Sequence, residues 1–192
     1  MKVEIFASEA KGKISAPPSK SMAHRALICS ALSKKSSISN LAFSKDIEAT
    51  LGCLKALGAQ AEDTENELSI GSLNPFDPSD NATLFCNESG STLRFMIPLC
   101  MLSDRKITLT GSERLFARPL SIYEEIAEQN GILFEKTQNS VTVCGKLKAG
   151  EFKVRGDISS QFISGLMFAL PLLEGDSSIE IIGSLKAHLI SI

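Results

Sequence analysis

The chain has 192 residues, 43% of them hydrophobic and 22% charged, and a formal net charge of −2. That make-up belongs to an ordinary globular protein with one substantial core or two small ones. It carries no electrostatic footprint for nucleic acid or for an acidic membrane surface. Only two histidines accompany five cysteines, and no cysteine forms a CxxC pair, which argues against a zinc site. Cys29, Cys53, Cys86, Cys100 and Cys144 read instead as small core residues in a reducing compartment, and the cytoplasm is the expected location.

In chain order, the alternation of Met1 to Phe6 predicts a strand over Val3–Phe6, followed by a connection over Gly12–Pro18. A helix is expected from Ser19 to Leu32, a strand over Ser36–Leu41, and a second helix over Ser44–Leu57 with Asp46 complementing its dipole. Strands near Gln60–Glu62 and Leu68–Ile70 precede a turn-rich loop, Asn74–Asn81. Ala82–Cys86 is the next strand. Thr92–Leu102 is a helix apolar on most sides, in which Pro98 predicts a kink or a break. Lys106–Thr110 alternates as a strand, Gly111–Arg118 is a loop, and Pro119 opens a helix that ends at Asn130. Ile132–Glu135 and Ser140–Cys144 form a strand pair. Lys153–Arg155, the apolar helix Phe162–Leu173 and the strand Ser178–Ile182 complete the walk.

Chemistry concentrates at helix starts. Pro18-Ser19-Lys20-Ser21-Met22-Ala23-His24-Arg25 puts two hydroxyls, an ammonium and a guanidinium around one of them. Free N–H groups and the positive dipole end favour an anion there, so the segment is a candidate phosphate or carboxylate site. A capped surface helix with solvated charges is the plainer alternative. Ser89-Gly90-Ser91-Thr92-Leu93-Arg94 and Ser159-Ser160-Gln161-Phe162 repeat the hydroxyl-rich start, and Lys20, Gly90 and Ser160 are spaced 70 residues apart. Gly58 and Gly131, each a candidate C-cap, lie 73 apart. A period near 70 points to a repeated β-α-β-α-β-β unit packed around an axis, with helices inside and sheets outside. If the starts converge, Lys20, Ser21, Arg25, Ser159, Ser160 and Gln161 supply the donors that phosphate recognition needs, and Gly90 admits a ligand close to the backbone. Arg118 is a further anion clamp. Arg94 reads as a buried tie between units, His24 as a packing residue, and Ser89 and Ser91 as caps. Asp46, Glu88 and Asp157 receive no role in proton transfer.

Four ordered stretches carry a family resemblance: Ser19-Lys20-Ser21 through Arg25, Glu88 through Arg94, Arg118-Pro119-Leu120, and Gly156 through Phe162. The chain resembles the 3-phosphoshikimate 1-carboxyvinyltransferases, or EPSP synthases. The resemblance implies a mixed α/β (α+β) fold of repeated units about a pseudo-threefold axis, about 19–86, 87–154 and an incomplete 155–192, with residues 1–18 as the opening strand of another domain. It implies transfer of the enolpyruvyl group of phosphoenolpyruvate to the 5-hydroxyl of shikimate 3-phosphate, a step of chorismate and aromatic amino-acid biosynthesis, with no cofactor and no metal. Lys20 would contact both substrates and stabilise charge. Ser21, Arg25, Ser159, Ser160 and Gln161 would join it around shikimate 3-phosphate. Gly90, Arg118 and Gln161 would join it around phosphoenolpyruvate.

Family members have two domains with the substrates bound between them, and the carboxylates credited with proton transfer belong to the domain this chain lacks. The tail from Gly183 to Ile192 departs from the family's Ser-Lys-Pro-Tyr type segment. The expectation is therefore a truncated part, inactive or nearly so alone, whose possible partner is the missing C-terminal domain. A non-catalytic anion-binding module and one half of a split enzyme completed by a second polypeptide are the alternatives. Neither nucleic acid nor a membrane is an expected partner.

Overall fold

The computed structural model describes residues 11–64 and 67–183, together with residues 3, 4, 6, 7 and 9. Helix α1 (Lys20–Ala31) starts where Ser19 Oγ accepts the Met22 N–H at 3.3 Å, and its inner face is Ala23, His24, Leu27, Ile28 and Ala31. Strand β1 (Ser36–Ser39) leads to α2 (Lys45–Ala56), which Ser44 caps and which carries Asp46 and Glu48 in its first turn. Strands β2 (Gln60–Asp63) and β3 (Glu67–Gly71) follow, and the sheet order is β1-β3-β2, antiparallel throughout. Leu68 and Ile70 point from β3 into the core, as a two-residue period requires.

Strand β4 (Thr83–Phe85) is joined through α3 (Gly90–Cys100) to the parallel strand β5 (Leu102–Thr110). A one-turn helix α4 (Glu113–Phe116), helix α5 (Ser121–Asn130) and the hairpin β6 (Leu133–Lys136)–β7 (Ser140–Lys146) complete a sheet of order β4-β5-β7-β6. Finally β8 (Glu151–Arg155) pairs in parallel with β9 (Ser178–Ile182) across α6 (Ser160–Ala169) and a 3-10 turn, Leu170–Leu172.

Helix α3 is the centre of the core. Every residue from Thr92 to Cys100 is buried, and the helix packs on α2, α6, β5 and β7. Pro98 does not break it. The N–H that Pro98 lacks would have bonded the Arg94 carbonyl, and the Tyr123 hydroxyl donates to that oxygen instead at 2.6 Å. Gly165 lets α6 reach this point. A Cβ there would overlap Tyr123 Oη and lie 2.5 Å from the Arg94 carbonyl oxygen.

Several boundaries differ from the sequence-based expectation. Val3, Glu4 and Phe6 are exposed and lie outside the strands of the three sheets. Asn40, at φ 55°, ends β1 before Leu41. The expected loop Gly111–Arg118 contains α4, nucleated by Ser112 Oγ accepting the Leu115 N–H. Pro119 lies two residues before α5 rather than in its first turn. Helix α3 stops at Cys100, and β5 starts at Leu102 with a register shift between Ser103 and Ile107. Pro171 turns the end of the last predicted helix into the 3-10 turn. Cys53, Cys86 and Cys100 are core residues, but Cys29 is exposed and Cys144 half-buried. The tail beyond Gly183 lies outside the described residues. Among those residues no helix is long and apolar enough to cross a membrane.

Candidate functional site

At the start of α1, the Lys20 ammonium lies 2.6 Å from the Asp46 carboxylate in the first turn of α2. One turn on, Arg25 Nη1 donates to the Ser21 carbonyl at 2.9 Å and to Ser21 Oγ at 2.8 Å, folding back over its own helix start. Its other nitrogen, Nη2, donates to Ser164 Oγ on α6 at 3.0 Å, and the guanidinium lies 5.3 Å from the Phe95 ring centre on α3. Arg25 thereby ties α1 to α6 and α3 while Ser21 remains exposed.

The starts of α3 and α6 are joined by a second bridge. Arg94 Nη1 donates to Gln161 Oε1 at 2.7 Å, and Gln161 Nε2 donates to Ser91 Oγ at 2.8 Å. Arg94 is buried, stacks 5.0 Å from the Phe162 ring, and leaves its Nε without a partner among the described residues. Burial first, and the nearby Arg118 charge second, lower the Arg94 pKa. Ser159 Oγ caps α6 by accepting the Gln161 N–H at 3.2 Å, with Ser160 half-buried beside it.

Arg118 completes the cluster. A Cβ on Gly90 would lie 2.5 Å from Arg118 Nη1 and 3.5 Å from Arg94 Nη1, so both guanidiniums converge on the α3 start because Gly90 leaves them room. Arg118 is exposed, and among the described residues its guanidinium has no hydrogen-bond partner. Asp46 is the acid that meets the cluster directly, and it is already paired.

Behind this face runs a buried line of neutral groups. His24 Nδ1 is 2.7 Å from Thr50 Oγ1, Thr50 Oγ1 is 2.7 Å from Thr92 Oγ1, and Thr92 Oγ1 donates to Ser89 Oγ at 2.7 Å. Burial lowers the His24 pKa to about 4, against the opposing pull of Asp46, so the imidazole is neutral near pH 7.

Of the residues singled out in the sequence, hydrogen bonds or close approach link Lys20, Ser21 and Arg25 with α2 and α6, and Gly90 and Arg118 with Arg94 and Gln161. Ser159 and Ser160 form the α6 start. Two surface cavities, of about 350 Å³ beside Arg114 and about 500 Å³ beside Met167, include none of them. The face is open. Sequence reasoning passed over Ser164 and the pairing of Lys20 with Asp46, and it treated Ser91 only as a cap. A lone hydroxyl inside an otherwise apolar helix was the available signal for Ser164.

The mixed α/β fold is similar to that of a solved EPSP synthase. An EPSP synthase from Acinetobacter baumannii superposes with a TM-score of 0.76 over 92% of this chain and 42% of that chain, at 22% sequence identity. The family described as EPSP synthase (3-phosphoshikimate 1-carboxyvinyltransferase) matches residues 7–190. Curated 3-phosphoshikimate 1-carboxyvinyltransferases from Clostridium perfringens and Clostridium kluyveri are each 48% identical, over 97% and 96% of this chain. A third, from Clostridium novyi, is 45% identical over 96%. This chain belongs to the EPSP synthase family. It spans about 45% of the length of those relatives.

Proposed function

We propose that this chain forms the shikimate 3-phosphate-binding half of an EPSP synthase site, with the second half contributed by a C-terminal domain. The supporting observation is the cross-bonding of three helix starts. Arg25 to Ser164 joins α1 to α6, and Arg94 to Gln161 to Ser91 joins α6 to α3. Unpaired N–H groups and positive dipole ends are thereby gathered on one face beside Lys20, Arg25 and Arg118.

In this reading Ser21, Arg25, Ser159, Ser160 and Gln161 hold shikimate 3-phosphate, and Lys20 touches both substrates. Gly90, Arg118 and Gln161 line the phosphoenolpyruvate site with Lys20. The 5-hydroxyl oxygen bonds to the enolic carbon of phosphoenolpyruvate, giving a tetrahedral intermediate. Breakage of the carbon–oxygen bond to phosphate then restores the enol double bond on the transferred group. Preorganised cations stabilise the charge that develops, and holding two anions side by side removes an entropic barrier. The 5-hydroxyl gives up its proton as its oxygen bonds, the methylene carbon takes up one proton to become a methyl group, and one methyl proton is lost as phosphate leaves; this traffic is assigned to carboxylates of the other domain. The chain alone binds but does not turn over.

The same reading carries an architecture: residues 1–18 open the other domain, and the chain from residue 19 onward forms the substrate-binding domain of repeated units about a pseudo-threefold axis. Two likenesses in strand order support it. β1-β3-β2 repeats β5-β7-β6, and the parallel pair β8–β9 repeats β4–β5.

Titration calorimetry of the chain with shikimate 3-phosphate, with and without phosphoenolpyruvate, tests the proposal. Saturable binding that is lost in Lys20→Ala and Arg25→Ala is the expected result. Absence of binding by a demonstrably folded chain overturns the half-site, and clear release of phosphate overturns the need for a second domain.

A further inference from the structure

The buried line behind the site has a direction. Ser89 Oγ accepts the Thr92 N–H at 3.2 Å, the N-cap bond of α3, and it also accepts the Thr92 hydroxyl at 2.7 Å. A threonine has one proton to give. With the Thr92 proton on Ser89, the 2.7 Å contact between Thr50 and Thr92 requires Thr50 to donate. Thr50 Oγ1 then accepts at its 2.7 Å contact with His24, so His24 carries its proton on Nδ1. The opposite tautomer would bury an Nε2–H with no acceptor, because His24 Nε2 has no partner among the described residues. An unpaired buried lone pair is the lesser penalty of the two. The edge-on packing of His24 and Phe95, with ring centres 6.3 Å apart, encloses the imidazole on the α3 side.

We propose that His24, Thr50 and Thr92 are positioning residues: a one-way hydrogen-bond relay from α1 through α2 that holds the Ser89 cap and sets where the Gly90 and Ser91 backbone N–H groups point. Three helices meet in it, and none of its members touches the ligand face. The Asp46 carbonyl, 3.3 Å from both Thr50 Oγ1 and Thr92 Oγ1, is a longer, competing acceptor for the same two protons, and the 2.7 Å contacts take precedence. Chained hydroxyls polarise one another, so removing one link weakens the others. The role assigned to the positioned N–H groups, holding phosphoenolpyruvate, rests on the function proposed above. The relay itself does not.

The closing experiment uses the full chain with its histidines labelled with ¹⁵N, comparing Thr50→Val and Thr92→Val with Thr50→Ser and Thr92→Ser. The expected result at pH 7 is a single Nδ1–H tautomer for His24. The amide at position 92, which donates to the Ser89 cap, should exchange with solvent about tenfold faster in the valine variants. The serine variants, which keep the hydroxyl, should match the parent, and the Val143 amide in the four-stranded sheet should be unmoved in all four. An Nε2–H tautomer, or valine variants with parental exchange at position 92, overturns the relay. If one valine variant does not fold, the other and the parent's tautomer still decide. Phosphoenolpyruvate titrated into the chain holding shikimate 3-phosphate should bind about tenfold more weakly to the valine variants, with serine restoring affinity. A parent chain that binds neither anion overturns the functional reading, while tautomer and exchange still judge the relay.

Discussion

Substituting Gly90 by alanine separates site geometry from fold stability. The new Cβ would lie 2.5 Å from Arg118 Nη1 and 3.7 Å from Arg118 Cζ, so the guanidinium has to retreat by about 1 Å to reach ordinary contact. The displaced atoms are the far end of an exposed side chain that forms no hydrogen bond among the described residues, so the retreat costs the fold little. Alanine also removes glycine's entropic disadvantage at a helical position, worth roughly 0.5–1 kcal/mol. Stability should therefore stay level or rise slightly. Binding should behave otherwise. An anion held by Arg118 at the α3 start loses a charge-assisted hydrogen bond worth about 1.5–3 kcal/mol, a fall of tenfold or more in affinity. Chemical denaturation and calorimetric titration of phosphoenolpyruvate with shikimate 3-phosphate present read the two effects separately. Unchanged affinity, or a stability loss above about 2 kcal/mol, would refute the geometry argued for Gly90 and Arg118.

Three further outcomes follow from the core. Gly165→Ala drives a methyl group into Tyr123 Oη and the Arg94 carbonyl, both rigidly held, and should cost about 3 kcal/mol or more in a urea melt. Tyr123→Phe strips the Arg94 carbonyl of the donor that replaces the missing Pro98 N–H, at about 1–3 kcal/mol. In a Pro98→Ala background that loss should shrink by about 1 kcal/mol, and an undiminished loss in the double-mutant cycle would contradict the replacement. Because burial holds His24 at about 4 against 6.5 in the unfolded chain, the unfolded state takes up the proton first as pH falls. Stability should thus be full above pH 6.5 and fall by on the order of 3 kcal/mol towards pH 4, and His24→Asn should flatten that part of the profile.

Much of the site was legible because helix N-termini have a local code. Ser19, Ser44, Ser89 and Ser159 each precede a helix and each caps it, and three of those starts are spaced 70 residues apart. What was not legible depends on long-range contact. The bond from Arg25 to Ser164 spans 139 residues, and no local pattern marks it. Thr50 and Thr92 look like ordinary threonines in apolar helices until α2 and α3 are laid side by side. The continuity of α3 through Pro98 was likewise beyond local reading, since the group that satisfies the Arg94 carbonyl there is a tyrosine from α5.

The division of labour between neutral and charged groups gives the face its electrostatic meaning. Helix starts α1, α2 and α3 are locked together by hydroxyls and one uncharged imidazole, which can be buried without the penalty of an ion. The guanidiniums are treated differently. Arg94 is forced towards Arg118 with one good side-chain acceptor, Gln161, and both burial and its neighbour's charge act against its protonated form. No carboxylate among the described residues is paired with either arginine, and Asp46 is committed to Lys20. A pair of like charges held together with spare donors is unfavourable by itself and becomes favourable once an anion sits between them. That imbalance, built into the α3 start by Gly90, Arg94 and Arg118, is the physical reason to expect phosphate or carboxylate on this face rather than in the cavities beside Arg114 and Met167.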